Sequence, residues 1–276
     1  MIETKAQPHS DPRTVHCFFS GGRDSALACY IAKRVADVHN WRFLLVHIDT
    51  TIYIRETREY VHKYAQWLDA ELITIRPKMT FKEYAAKYGM WPSLYPFRYR
   101  WCMRELKLKP TIEYLNENYR SGDIVALGIR KHESKFREKL YNHVFTRHKY
   151  GGKVDVLLWL PLLQADDATV AKLIRQYNIP ESPVWRKISF SGECLCLAGM
   201  PLHTMYLLVR HYPDEFRRLL EIDEIINKNR KNGKRPAPFR LAQIGLTLPE
   251  FYRRAVKLTT LDAFIDYDSC EGSCML

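Results

Sequence analysis

Ser20, Gly21, Gly22, Arg23, Asp24 and Ser25 follow a short apolar run and open a stretch with helical character, the place where a chain best grips phosphate. Two adjacent glycines reach positive φ cheaply and let backbone approach a ligand closely. The first amides of the following helix point toward any anion placed there, and the Ser20 and Ser25 hydroxyls add donors. The lysine that the Walker form requires after its second glycine is absent. Soft-ligand chemistry comes from the seven cysteines. Cys17 and Cys29 fall in the first expected strand and helix and read as buried packing residues. Cys102, Cys194, Cys196, Cys270 and Cys274 sit in less apolar, turn-like settings, where cysteines argue for metal or redox chemistry ahead of a disulfide framework.

Apolar, strand-like runs at residues 15–19, 43–48, 71–75, 124–127 and 156–160 alternate with helical patterns, which predicts an α/β fold built on a five-stranded parallel sheet. Helices are expected over 55–68, 106–119 and 168–177, and Thr80-Phe81-Lys82-Glu83 reads as a capping box. After Pro180 the pattern changes to a proline-punctuated loop, the cysteine pair, and a helical stretch over 202–227 broken at Tyr212-Pro213. A smaller helix follows over 247–258. The domain change is placed near residue 180, giving an α/β domain over 1–180 and a cysteine-containing helical lobe over 181–276.

Lys and Arg exceed Asp and Glu by 43 − 31 = 12, a balance that raises the local concentration of anionic partners such as nucleotides or nucleic acid. Basic clusters lie at 98–100, 130–137, 147–149 and 228–235, the last two being candidate surfaces for a nucleic-acid backbone. No apolar run approaches the length of a bilayer span, and the polar N-terminal stretch lacks the apolar segment of a secretory signal. The sequence therefore reads as cytoplasmic, with oligomerisation left open.

Ser20 to Ser25 fits all six positions of Ser-Gly-Gly-x-Asp-Ser, and the chain resembles the PP-loop family of PAPS (phosphoadenosine phosphosulfate) reductases and N-type ATP pyrophosphatases, which are adenine nucleotide alpha hydrolase-like. The resemblance implies a Rossmann-like, HUP-type domain. His47-Ile48-Asp49-Thr50 looks like the family's Asp-Thr-Gly segment, with Thr51 in place of glycine; it implies nucleotide contacts from Val46, Ile48 and Asp49. Gly128-Ile129-Arg130-Lys131-His132-Glu133-Ser134-Lys135-Phe136-Arg137 matches Gly-x-Arg-x-x-Glu-Ser-x-x-Arg. By that match Gly128, Arg130, Glu133 and Arg137 join the nucleotide site, Arg130 pairing phosphate in a two-pronged geometry.

Arg100-Trp101-Cys102-Met103-Arg104-Glu105-Leu106-Lys107 looks like Arg-x-Cys-Thr-x-x-Leu-Lys, and fixed positive charge there would favour a thiolate. Gly192 to Gly199 with Tyr212 to Phe216 is similar to the Gly-Cys-x-x-Cys and Tyr-Pro-Glu region of the iron–sulfur members, with the cysteines one residue closer. Cys102, Cys194 and Cys196 are thus candidate ligands of a 4Fe-4S cluster, with zinc as the alternative.

The expected activity is cleavage of ATP between its α- and β-phosphates, adenylylation of a target oxygen, and displacement of AMP by sulfur, as in nucleic-acid thiolation and DNA phosphorothioation enzymes. Asp24 would hold Mg²⁺, and Gly21, Gly22 and Arg130 would offset developing charge. The first alternative is a PAPS or adenylyl sulfate reductase in which Cys270 or Cys274 attacks sulfur; these two cysteines equally fit ligands or an exposed pair. The second alternative is a non-catalytic nucleotide sensor or sulfur-carrier subunit. A nucleic acid or a sulfur-donor protein is the expected macromolecular partner.

Overall fold

A computed structural model describes residues 13–93, 99–133, 135–230 and 237–258. The chain divides into two compact units, one of residues 1–48, 59–75 and 108–182, the other of 49–58, 76–107 and 183–276.

The first unit is built on strands β1 (Thr14–Phe18), β2 (Arg42–Ile48), β3 (Glu71–Ile75), β4 (Ile124–Leu127), β5 (Phe145–Tyr150) and β6 (Val154–Trp159). They form one six-stranded sheet in the order β3-β2-β1-β4-β6-β5. All pairings are parallel except β5 with β6. The central strands are largely apolar on both faces, as a covered parallel sheet requires, with buried His16 of β1 paired to Tyr114 and Asp123. Val15 and Cys17, Phe43 and Leu45, and Ile124 and Ala126 face one core, shared with helices α1 (Arg23–Val38), α2 (Arg55–Trp67, its first turn in the other unit) and α6 (Asp167–Gln176). The alternate residues Leu44, Val46, Val125, Val156 and Leu158 face a second core under α4 (Lys109–Asn118).

Two expectations change here. The sheet has six strands rather than five, because the basic stretch around Arg147 forms an extra strand, β5, whose exposed positions are Phe145, Arg147 and Lys149 and whose apolar content is low. It occupies the sheet's edge, where charged side chains are favoured because they discourage further strand pairing. The helix expected from 106 begins instead as a π-helical turn, Met103–Leu108, and becomes α-helical just before Pro110, a residue with no N–H to give to a regular helical ladder.

The second unit packs α3 (Phe81–Tyr88), α7 (Pro183–Ile188), α8 (Leu202–His211), α9 (Pro213–Lys228), α10 (Phe239–Gln243) and α11 (Leu248–Lys257); the remaining helix, α5 (Lys135–Leu140), belongs to the first unit. Its core gathers Ile52, Ile54, Phe81, Trp91, Trp101, Phe216 and Phe251. That is why the stretches 49–58 and 76–107 group with the C-terminal part instead of falling inside a single 1–180 domain. Thr80 caps α3 in the expected reciprocal box with Glu83, and Pro213 separates α8 from α9 as expected. Among the described residues no helix is long and apolar enough to cross a membrane.

Candidate functional site

In the sheet order, β2 and β3 lie to one side of β1 and the later strands to the other, so the connection reverses between β1 and β4. Ligands of open α/β sheets bind at the carboxyl ends of strands at such a switch point. Both strongest sequence motifs emerge there, Ser20 to Ser25 after β1 and Gly128 to Arg130 after β4.

The loop after β1 is folded by its own hydroxyls. Phe19 still pairs in sheet fashion, its N–H donating to the Val46 carbonyl at 2.8 Å, while its own carbonyl lies 2.9 Å from His47 Nδ1. His47 is buried and, facing a carbonyl, carries its proton on Nδ1. Gly21 then turns the chain at φ 74°, the left-handed region that suits glycine. Ser25 Oγ accepts from the Ser20 N–H at 3.2 Å and donates to the Gly22 carbonyl at 2.9 Å, with Ser20 Oγ at 3.0 Å. Gly22 is the N-cap of α1, and no side chain caps that helix. The positive end of a 16-residue helix is thereby presented by backbone alone, the arrangement that receives anions.

Four charges line up beside the loop. Arg130 Nε donates to Asp24 Oδ2 at 2.8 Å, and its Nη2 lies 2.9 Å from Asp167 Oδ1. The same Asp167 oxygen accepts from Arg23 Nη2 at 3.2 Å. Arg130 and Asp24 are nearly sheltered, whereas the Asp167 side chain is 78% exposed. Gly128 is glycine for want of space: a Cβ there would stand 2.8 Å from the backbone of Asp24 and Ser25. Sequence reasoning missed Asp167, an ordinary-looking acid in the first turn of α6 next to its N-cap Asp166.

The remaining candidates are placed as follows. Val46 is an interior strand residue whose carbonyl already serves Phe19, and half-buried Ile48 ends β2. Arg137 is half-buried in α5, and Glu133 lies in a short 3-10 turn, its side chain and Ser134 being outside the described residues. Cys270, Cys274, Arg98 and residues 231–236 also lie outside them.

The second unit holds Asp49 and the three cysteines. Asp49 is buried; Oδ1 accepts from the Thr51 N–H and Oδ2 from Arg76 Nε, both at 2.9 Å. Thr51 sits at φ 63°, glycine's region, and its Oγ1 accepts from the Phe81 N–H at 2.7 Å. The cysteine loop pairs with the same stretch: Ile54 N–H donates to Gly192 O, Leu195 N–H to Ile52 O and the Thr50 hydroxyl to Glu193 O. This pairing buries Leu195 in the core, and Cys194 and Cys196 on either side of it are half-buried and pack against that same core. A Cys-x-Cys spacing therefore delivers two thiols to one place. Tyr212 and Glu215, from the Tyr-Pro region, hold the start of α2: the Tyr212 hydroxyl donates to Glu56, and Glu215 accepts from the Arg55 N–H.

The three thiols lie in a row, Cys194 beside Cys196 and Cys196 beside Cys102, close enough to act on one another's titration. Cys196 is pushed up to about 12, first by its bond to Cys102 and also by burial. Cys194 is raised by its bond to Cys196 and by burial. The cations expected beside Cys102 serve other partners. Arg104 binds Glu105 and the Tyr88 hydroxyl, and Lys107 pairs with Glu193 at 3.1 Å. Burial works against the Lys107 charge, but Glu193 and the thiols of Cys194 and Cys196 raise its pKa overall. The donor set has the right chemistry for a thiolate-bound metal, with a cation beside it to offset the charge. Among the described residues, however, no three such side chains are spread around a common point as a bound metal requires.

A doubly wound α/β sheet with a two-glycine phosphate turn and an arginine loop at its switch point defines the class, a Rossmann-like PP-loop domain. The chain belongs to the phosphoadenosine phosphosulfate reductase domain family, which it matches over residues 14–219. It is similar to the uncharacterized protein MJ0973 of Methanocaldococcus jannaschii, 35% identical over 127 residues, covering 46% of this chain and 28% of that protein. The chain thus spans well under half the length of that curated relative. Among solved structures it is similar to phosphoadenylyl-sulfate (PAPS) reductase from Candida auris in its phosphate complex, with TM-score 0.47 and 20% identity over 64% of this chain and 78% of that one. It is also similar to the U34-tRNA thiolase NcsA from Methanococcus maripaludis with its 4Fe-4S cluster, with TM-score 0.44 and 13% identity over 79% and 73% of the two chains.

Proposed function

We propose that the chain binds the phosphates of an adenine nucleotide in the Ser20–Ser25 loop and cleaves ATP between its α- and β-phosphates to activate a target for sulfur transfer. The observation that carries this reading is the meeting of the uncapped α1 N-terminus with the Asp24–Arg130 pair at the strand-order reversal. In the free protein these two side chains neutralise each other. A bound triphosphate draws Arg130 toward its oxygens, and Asp24 is then available to Mg²⁺, so binding exchanges one ion pair for two charge-assisted contacts. The amides of Gly21 and Gly22 with Arg130 offset negative charge as pyrophosphate departs. By the family match, Gly128, Glu133 and Arg137 belong to the same site, Arg137 meeting a second anionic group of the nucleotide.

Cys102, Cys194 and Cys196 would hold an iron–sulfur cluster, or zinc in its place, once the thiol chain opens and its protons leave. Such a cluster supplies electrons or an open iron for binding sulfur. Nucleic acid is the acceptor class best matched to the excess of 12 positive charges and to the exposed Arg147 and Lys149 of β5.

The family's own description supports a second reading, reduction of PAPS; in that reading adenylyl sulfate is an alternative substrate and Cys270 or Cys274 would be the nucleophile. One experiment separates the two: purified protein is given Mg·ATP or PAPS under anaerobic reducing conditions and scored for pyrophosphate or sulfite. Pyrophosphate supports ATP activation and sulfite the reductase. Nucleotide binding with neither product supports a sensor or carrier subunit. Gly22→Val, which fills the phosphate approach, abolishes binding in every case, and retained affinity would overturn the phosphate site itself.

A further inference from the structure

Cys17 in β1 and Cys29 in the second turn of α1 stand on either side of the Ser20–Ser25 loop, with their sulfurs 2.6 Å apart and both residues 0% exposed. The local sequence brings them together. Cys17 alternates with Val15 and Phe19 toward the helix-covered face of the sheet. The face of α1 that meets it is small, with Ala26, Ala28, Ala32 and Ala36 all buried, so the helix lies close against the strand. A disulfide needs its sulfurs about 2.0 Å apart, so closure asks for a movement of roughly half an ångström. We propose that Cys17 and Cys29 form a reversible disulfide, a modification site that ties β1 to α1 across the phosphate loop. It is independent of which nucleotide the loop binds.

The oxidant is hydrogen peroxide, small and uncharged enough to enter a core during local opening. One thiol attacks a peroxide oxygen, the O–O bond breaks, and water leaves with the thiol proton, giving a sulfenic acid. The second thiol attacks that sulfur, the S–O bond breaks, and a second water carries off the remaining proton. Two thiols lose two electrons, and the peroxide becomes two waters. A dithiol reductant reverses the change by exchange. Burial, and then its neighbour Cys17, raises the Cys29 thiol, so the reaction is slow in the closed protein and follows the rate of opening.

Trypsin reads the bond directly. Cleavage after Arg13, Arg23 and Lys33 puts Cys17 on peptide 14–23 and Cys29 on peptide 24–33, which only a disulfide can hold together. The full chain is exposed to hydrogen peroxide with and without sub-denaturing urea, quenched, alkylated in denaturant and digested. The expected product is the joined pair, lighter than the two free peptides by about 2 Da, formed faster with urea and lost on dithiothreitol treatment. Recovery of both peptides with alkylated cysteines, or linkage of either cysteine to a different partner, would overturn the proposal. The oxidised chain should also melt at a higher temperature than the reduced one, and Cys29→Ala should lose that rise. An equal rise in the variant counts against the bond as its cause.

Discussion

Arg130 and Asp24 are 106 residues apart in sequence, yet the Arg130 Nε donates to the Asp24 carboxylate at 2.8 Å beside an uncapped helix N-terminus. The geometry uses the Nε edge of the guanidinium for Asp24 and an Nη for Asp167, a forked arrangement a lysine cannot reproduce. Arg130→Lys should therefore weaken Mg·ATP binding about tenfold, corresponding to the loss of one charge-assisted bond. Asp167→Asn should change it by only a factor of about three, since its side chain is largely in water. Titration calorimetry on the two variants measures both, and equal effects would count against the fork.

Gly128→Ala places a methyl group 2.8 Å from three backbone atoms of Asp24 and Ser25, none of which can swing aside. A cost of about 1–3 kcal/mol in urea unfolding is expected, as for other overpacked sites. Nucleotide affinity should fall with it, because the displaced atoms are those of the phosphate turn.

Cys196 is the middle thiol of its chain, so Cys196→Ser should remove iron and sulfide from anaerobically prepared protein more completely than Cys194→Ser does. Iron and acid-labile sulfide assays decide this. Protein that carries zinc alone would reject the cluster.

Asp223 is buried in the second unit, where it accepts from Trp91 Nε1 at 2.6 Å and Asn227 Nδ2 at 3.0 Å. Burial lifts its carboxyl above the ordinary aspartate value, against the pull of those two donors. Between the ordinary and the lifted value the folded chain holds the proton and the unfolded chain has lost it, so stability falls as pH rises through that window. Asp223→Asn cannot titrate. The stability of the parent minus that of the variant should decline from about pH 4 upward. Denaturant melts at a series of pH values give the curve, and a flat difference would remove the effect.

How much the sequence disclosed depends on how local the cause is. The phosphate turn was legible because its glycines, hydroxyls and helix start are consecutive, and the apolar strands because their residues are mostly aliphatic, in the inner strands from burial on both faces and in edge strand β3 from partly buried Leu72, Ile73 and Ile75. β5 escaped because Arg147, His148 and Lys149 satisfy an edge strand without looking like one. Asp167 and the Lys107–Glu193 pair escaped because nothing near them in sequence names the partner. The same holds for Ile52, Trp91 and Trp101: they announce burial but not which core receives them. Thr51 is a different case. Its place in a motif that elsewhere carries glycine looked like a departure, yet its φ of 63° keeps glycine's backbone shape, held by Asp49 below and by its own bond to the Phe81 N–H.

The missing methyl at Gly128 also limits how this region can move. With backbone pressed on backbone, the segment after β4 cannot slide past the head of α1 as separate loops would. Any rearrangement that admits a ligand must carry the turn and the stem of Arg130 as one rigid piece, leaving the reach of the guanidinium itself as the adjustable part.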